Sequence, residues 1–241
     1  MRDSYFNWQS YGLTDVGCVR KRNEDNIRLA PEKGMWIVAD GAGGHSNGHE
    51  ASQTAINTLR DYQPSYHLGS DVTQIKHLLS NANNQLIARY RANNELSGTT
   101  ASVLITDGRT AACIWSGDSL IFRLRDNKLS QLTQDHNRVE EFIQQGFSPE
   151  ECDRIPHAQQ LTQALGASEN LCIQTRWVGL KEGDLFIICS DGLTKESTNS
   201  DIEKIAQLYS NSPKSLTEHL VDTTLERGAR DNISVISCLF F

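Results

Sequence analysis

No stretch of this 241-residue chain approaches the ~20 consecutive apolar residues that a membrane span requires. The opening, Met1-Arg2-Asp3-Ser4, is polar and no apolar run follows it, so it does not read as a secretory signal. A basic excess is lacking too. Lysines and arginines number 23 against 30 acidic residues, a formal net charge of −7, whereas a nucleic-acid-binding surface is normally basic. Six cysteines (Cys18, Cys113, Cys152, Cys172, Cys189 and Cys238) contain no pair at C-x-x-C spacing, which removes the commonest zinc and redox motifs. Cys113, Cys189 and Cys238 lie inside apolar runs and read as small core residues. There is no internal repeat, low-complexity tract or proline-rich linker. These absences predict a cytoplasmic monomer, complete without an anchor, with neither nucleic acid nor membrane as partner.

What is present is an ordinary globular composition, 38% hydrophobic and 22% charged, in a length that suits one large domain or two small ones. Strands are expected at residues 7–14, 26–29 and 35–40, separated by polar turns. Ala51, Ala55, Ile56 and Leu59 recur at helical spacing, predicting a helix over 48–62; residues 64–70 break it, and a second helix is expected over 72–93. Strands follow at 99–106, 110–116, 119–125 and 128–131. The turns Asp107-Gly108 and Asp126-Asn127 make this part antiparallel. Residues 134–158 are polar, with a short helical piece near 139–145 and a break at Ser148-Pro149, and read as an irregular flap over a sheet edge. Strands at 172–178 and 185–189, helices at 201–209 and 216–227, and a strand at 233–241 close the chain. This order predicts an α+β fold, a four-layer α-β-β-α sandwich of two mainly antiparallel sheets flanked by helix pairs. The first and last strands both belong to its core, so residues 1–241 form a single domain in this reading.

Aspartates recur beside glycines: Asp40-Gly41-Ala42-Gly43-Gly44-His45, Gly117-Asp118-Ser119, Ser190-Asp191-Gly192 and Arg230-Asp231-Asn232. The first three follow apolar runs and the last precedes one. One Asp-Gly is more often a turn than a ligand. Several carboxylates on rigid strand ends, converging on one point, make a site for hard divalent cations. Two such ions ~3.5–4 Å apart can share a carboxylate and a water, and the water then becomes a hydroxide nucleophile near neutral pH. Asp40, Asp191 and Asp231 can supply carboxylates, Gly41 a carbonyl free of Cβ obstruction, and Arg20 a planar fork for phosphate oxygens.

Taken together in order, these residues resemble the metal-dependent protein phosphatase 2C family of serine/threonine phosphatases. The resemblance runs over nearly the whole chain. It is carried by Thr14-Asp15-Val16-Gly17-Cys18-Val19-Arg20 with Asn23-Glu24-Asp25, and by residues 39–45 with Gly48 and Ala51-Ser52. Ser97-Gly98-Thr99-Thr100-Ala101 and residues 115–120 with Leu132-Thr133-Gln134-Asp135-His136 continue it, and residues 161–166, 183–193 and 230–235 complete it. The resemblance implies that Asp40 bridges two Mn²⁺ or Mg²⁺ ions, that Gly41 ligates one through its carbonyl, and that Asp191 and Asp231 bind the other. Asp118 would help hold a third ion, sharing Asp191, giving two to three ions in all. Glu24 and Asp25 would act through metal-bound waters, and Arg20 would bind the substrate phosphate. A bridging hydroxide would attack phosphorus directly, without a phosphoenzyme, on phosphoserine or phosphothreonine of protein substrates, in opposition to a bacterial serine/threonine kinase.

Three positions depart from the family pattern: Ala42 where Met is usual, Gly48-His49 in place of Gly-Glu, and Gln163 in place of Arg. None is an implied ligand. With Ala42 where some members carry His, a metal-bound water is the default proton donor, and His45 is a candidate. Thr99 and Thr100 read as core residues supporting the site, and His67, His77, His136, His157 and His219 as surface or packing residues. Two competing readings are an inactive member that binds phosphoproteins, which predicts lost ligands, and a two-metal hydrolase of small phosphoesters.

Overall fold

The computed structural model describes residues 5–43, 47–65, 67–93, 97–136, 142–143, 145–152, 155 and 162–241. In chain order the strands are β1 (Trp8–Asp15), β2 (Asn26–Ala30), β3 (Met35–Ala39), β4 (Gly41–Gly43), β5 (Ser97–Thr99), β6 (Ala101–Thr106), β7 (Thr110–Ser116), β8 (Leu120–Arg125), β9 (Lys128–Gln131), β10 (Gln174–Gly179), β11 (Leu185–Cys189) and β12 (Ile233–Phe240). The helices are α1 (Asn47–Thr58), α2 (Leu68–Asn93), α3 (Pro149–Cys152), α4 (Asp191–Thr194), α5 (Asn199–Leu208) and α6 (Pro213–Glu226).

Runs that are apolar at every position build the centre, because strands buried on both faces have no solvent side to alternate with. β3 and β11 are buried at all five of their residues. One sheet has the order β1-β12-β11-β8-β9 and the other β10-β7-β6-β3-β2, with every pairing antiparallel. Successive side chains sort onto opposite faces. Met35, Ile37 and Ala39 pack with Ala55, Leu59, Ile75 and Leu79 of the α1–α2 layer. Trp36 and Val38 point the other way, into an inter-sheet core with Phe186, Ile188, Ile236 and Phe240. Leu185, Ile187 and Cys189 face Ile202, Leu216 and Leu220 of α5 and α6. Three apolar cores between four layers are the expected sandwich. Among the described residues no helix is long and apolar enough to cross a membrane.

The Asp126-Asn127 turn has both residues at positive φ, 52° and 57°, the geometry of a tight type I′ hairpin. Three expectations need correction. The second helix begins at Leu68, not 72: Leu68 is buried against the α1–α2 core, which draws the preceding turn into the helix. The expected strand 99–106 is two strands, because β5 leaves the sheet to pair with β4 while β6 stays with β3 and β7. β4 and α4, both short and glycine-containing, were not foreseen. Within the expected flap, α3 forms at Pro149–Cys152, and the helical piece near 139–145 lies largely outside the described residues.

Candidate metal centre

The sandwich brings the ends of β3 and β11, the turn before β8 and the start of β12 to one edge. Arg20, Glu24, Asp40, Gly41, Asp118, Asp191 and Asp231 all line a single pocket of ≈ 370 Å³ there. Residues up to 211 positions apart in sequence thus share one wall. Asp25 lies behind the lining, 4% exposed, where it accepts a hydrogen bond from Ser190 Oγ at 2.8 Å. His45 lies outside the described residues. A larger hollow beside the C-terminal half of α2 has Arg91 and Glu169 as its charges, and these pair with each other.

Each carboxylate is held from behind. The Asp40 backbone N–H donates to Thr100 Oγ1 at 3.0 Å, and its carbonyl accepts from the Thr100 N–H (2.8 Å) and the Thr99 hydroxyl (2.9 Å). Thr100 Oγ1 also bonds Ser119 Oγ at 2.6 Å, tying the Asp40 corner to the residue after Asp118. Thr99 and Thr100 therefore support the site, as expected. His136 fixes the same turn from outside, accepting the Gly117 N–H on Nδ1 at 3.2 Å. Asp191 opens α4, and the Ser190 hydroxyl, besides its bond to Asp25, accepts the Ser234 N–H at 3.0 Å. A Cβ on Gly192 would come within 1.9 Å of the Asn232 carbonyl, so only glycine lets α4 approach the Asp231 corner this closely. Gly41 is equally tight: a Cβ there would lie 2.1 Å from Gly48 O and 2.7 Å from Glu24 O. Of the departures from the family pattern, His49 Nδ1 lies 3.2 Å from the Asn23 carbonyl oxygen, and Gln163 accepts the Cys172 N–H.

Two residues were missed by sequence reasoning. Asn232 is the clasp of the site: its side chain accepts the Glu24 N–H at 2.8 Å and donates to the Val16 and Arg22 carbonyls at 2.8 and 3.0 Å. No sequence signal marks it beyond its place after Asp231. Lys195 stands one helical turn past Asp191, with Nζ 2.6 Å from Asp191 Oδ2 and 2.8 Å from Asp231 Oδ2. The Asp191–Lys195 spacing of i, i+4 is the signal that could have found it. Arg20, more than half exposed, lays its fork on Asp231, with Nε 2.9 Å from Oδ1 and Nη2 3.1 Å from Oδ2.

Burial is the largest influence raising Asp40, whose pKa stands well above its ordinary value, with Asp25, Asp191, Asp118 and Asp231 adding repulsion. Burial and then Asp191 push Asp118 up to about 7. Burial also lifts Asp25 to about 6, against hydrogen bonds from Ser234 and Ser190. Asp191 is raised by burial, partly offset by Lys195. Asp231 goes the other way: burial works against its charge, yet Lys195 and Arg20 hold it below the usual range. Crowded carboxylates whose charges repel are the donor set that divalent cations stabilise. Asp191 Oδ1 is buried without a hydrogen-bond partner, a costly state for a carboxylate oxygen unless it faces a cation. Among the described residues no three acidic, His or Cys side chains close into a ready metal cage. The carboxylate and carbonyl oxygens that line the pocket are the donor type Mg²⁺-like ions take. The residues therefore fit Mn²⁺ or Mg²⁺.

Comparison with known proteins agrees. A family model for protein phosphatase 2C matches residues 19–231. The protein phosphatase PhpP of Streptococcus pneumoniae is 32% identical over 233 residues, spanning 92% of this chain and 94% of its own. PppA, a key regulatory component of the T6SS in Pseudomonas aeruginosa, superposes with a TM-score of 0.89 at 33% identity, covering 99% of both chains. The catalytic domain of the serine/threonine protein phosphatase PstP, in complex with two manganese ions, superposes with a TM-score of 0.84 at 25% identity, over 98% of this chain and 99% of that one. With its residues in family order on the family's fold, the chain belongs to the protein phosphatase 2C family of metal-dependent serine/threonine protein phosphatases.

Proposed function

We propose that Asp40, the Gly41 carbonyl, Asp191 and Asp231 hold two Mn²⁺ or Mg²⁺ ions, and that the chain is one catalytic domain hydrolysing phosphoserine and phosphothreonine on proteins. The observation that carries this is the convergence of these residues on one pocket, with a buried Asp191 oxygen left without a partner. The ions, when bound, supply an activated water near neutral pH and neutralise charge on the phosphoryl group. The rest is the work of the chain. Thr99 and Thr100 clamp the Asp40 backbone, so its carboxylate is set before substrate arrives. Glu24 and Asp25 shape the same wall through backbone and serine contacts and act through water. Arg20 stands at the rim, its fork half-satisfied by Asp231 and able to turn toward phosphate oxygens.

The attacking group is water and not a side chain. Thr100 is the hydroxyl residue in the described lining, and its oxygen is already engaged by Asp40 and Ser119 with no base upon it. An inactive member would lack one of the carboxylates, and all are in place. The names of the relatives, a serine/threonine phosphatase and a protein phosphatase, support phosphorylated protein substrates, and removing the phosphate that a serine/threonine kinase adds sets the chain opposite such a kinase. Hydrolysis of a phosphothreonine peptide should require added Mn²⁺ and stop with EDTA, and a nucleotide panel should be turned over far more slowly. Metal-independent hydrolysis would refute the assignment.

A further inference from the structure

We propose that Arg22 reads the substrate beyond its phosphate, selecting phosphopeptides with an aspartate or glutamate beside the phosphorylated residue. This rests on the reading of the pocket as a phosphatase site. Three side-chain cations line the pocket: Arg20, Arg22 and Lys195. Two of them are taken. Arg20 lays its fork on Asp231, and the Lys195 ammonium lies on Asp191 and Asp231. The Arg22 guanidinium has neither a hydrogen bond nor an ion pair among the described residues, and its side chain is exposed.

The backbone beneath this charge is fixed. The Asn232 side chain donates to the Arg22 carbonyl at 3.0 Å and accepts the Glu24 N–H at 2.8 Å. The segment is thereby clasped to the residue after Asp231, and Arg22 offers its fork at the mouth of the pocket from a rigid base. Ala42 and Gly43, also in the lining, are exposed, small and uncharged, and leave room for a peptide backbone. A phosphothreonine that delivers its phosphate to the pocket must keep its chain neighbours at the mouth, because successive Cα atoms are only ~3.8 Å apart. A guanidinium meets a carboxylate at two points, and Arg22 gives up no existing pair in turning to one. The chain as a whole carries a net charge of −7, which repels acidic peptides at long range. A preference for them therefore needs a local cation, and Arg22 is placed to supply it.

The test compares peptides rather than absolute rates. The full chain, loaded with Mn²⁺, is assayed on three phosphothreonine peptides that differ only in the residues on either side: Asp, Ala or Lys. Wild type should favour the Asp peptide over the Ala peptide by about 3- to 5-fold in kcat/KM, mostly through KM, with the Lys peptide poorest. Arg22→Gln should remove the preference for Asp, and Arg22→Glu should reverse the order. Ratios between peptides cancel any loss of folded enzyme. Fluorescence anisotropy of labelled peptides carrying a non-hydrolysable phosphonate should give the same order of Kd. A wild type that does not favour the Asp peptide, or a preference for Asp that survives Arg22→Glu, would overturn the proposal and leave the phosphatase reading standing. No hydrolysis of any of the peptides would instead remove that reading, and the role of Arg22 with it.

Discussion

Asp40 and Asp231 line the same pocket, yet their surroundings push them in opposite directions. Burial, and then the neighbouring carboxyls, disfavour the charged form of Asp40. Asp231 is gripped by Arg20 and Lys195, and its charge is favoured despite burial. The chain thus supplies its own cations at one wall and none at the other. External cations would therefore relieve more repulsion at the Asp40 wall than at the Asp231 wall.

The sharpest way to break this contrast is Asp40→Asn. Loss of the carboxylate on the wall without its own cations should lower kcat by roughly 10³-fold or more, and a phosphopeptide assay retaining full activity would end the bridging assignment. Metal addition comes next. At about 100 times its Kd, Mn²⁺ should stabilise the stripped protein by about 2.7 kcal/mol for one site, a rise in Tm of roughly 5–10 °C measurable by scanning fluorimetry. The gain should be larger at pH 8 than at pH 5. Asp25 and Asp118 have folded pKa values raised to about 6 and about 7, so without metal their contribution is favourable below their ordinary pKa and lost as pH rises through those values. An equal gain at both pH values would show that carboxylate repulsion is not what the ions relieve.

On the opposite wall, Arg20→Ala should raise KM by roughly 10-fold with a smaller change in kcat, the pattern of lost uniform binding. An unchanged KM would leave Arg20 as no more than a partner for Asp231. The smallest effect is expected outside the pocket lining. Asp201 closes a capping box with Thr198 and pairs with Arg227 at 2.9 Å, which depresses its pKa to about 2. Its contribution is present above about pH 4 and lost as pH falls through about 2. Asp201→Asn should therefore lower Tm by a few degrees at pH 7, with a difference that shrinks below pH 4. A difference independent of pH would assign the effect to packing.

Much of this was legible in the residues. Runs such as Met35–Ala39 and Leu185–Cys189 are apolar throughout, and strands buried on both faces require that. Asp-Gly pairs at their ends were recognisable because a ligand carboxylate needs a rigid support and a turn without Cβ obstruction. The errors arose where a distant partner decided a local matter. Ser97–Thr106 is rich in strand formers, and only the pairing of Thr99 with Gly41 and Leu165 splits it. Leu68 looks like part of a loop until it is seen packed against α1 and α2. Asn232 is a common residue type with nothing local to distinguish a clasp from an exposed polar side chain, and Lys195 offers only its i, i+4 spacing from Asp191.

By itself the sequence determined the fold class and singled out acidic residues that line one pocket, because both readings depend on periodicity and residue chemistry, which are local. Only the tertiary structure decided which of those carboxylates already own a cation. That depends on chains of contact across as many as 211 positions, and the strength of a charge interaction is set by distance and burial in space, not by order along the chain.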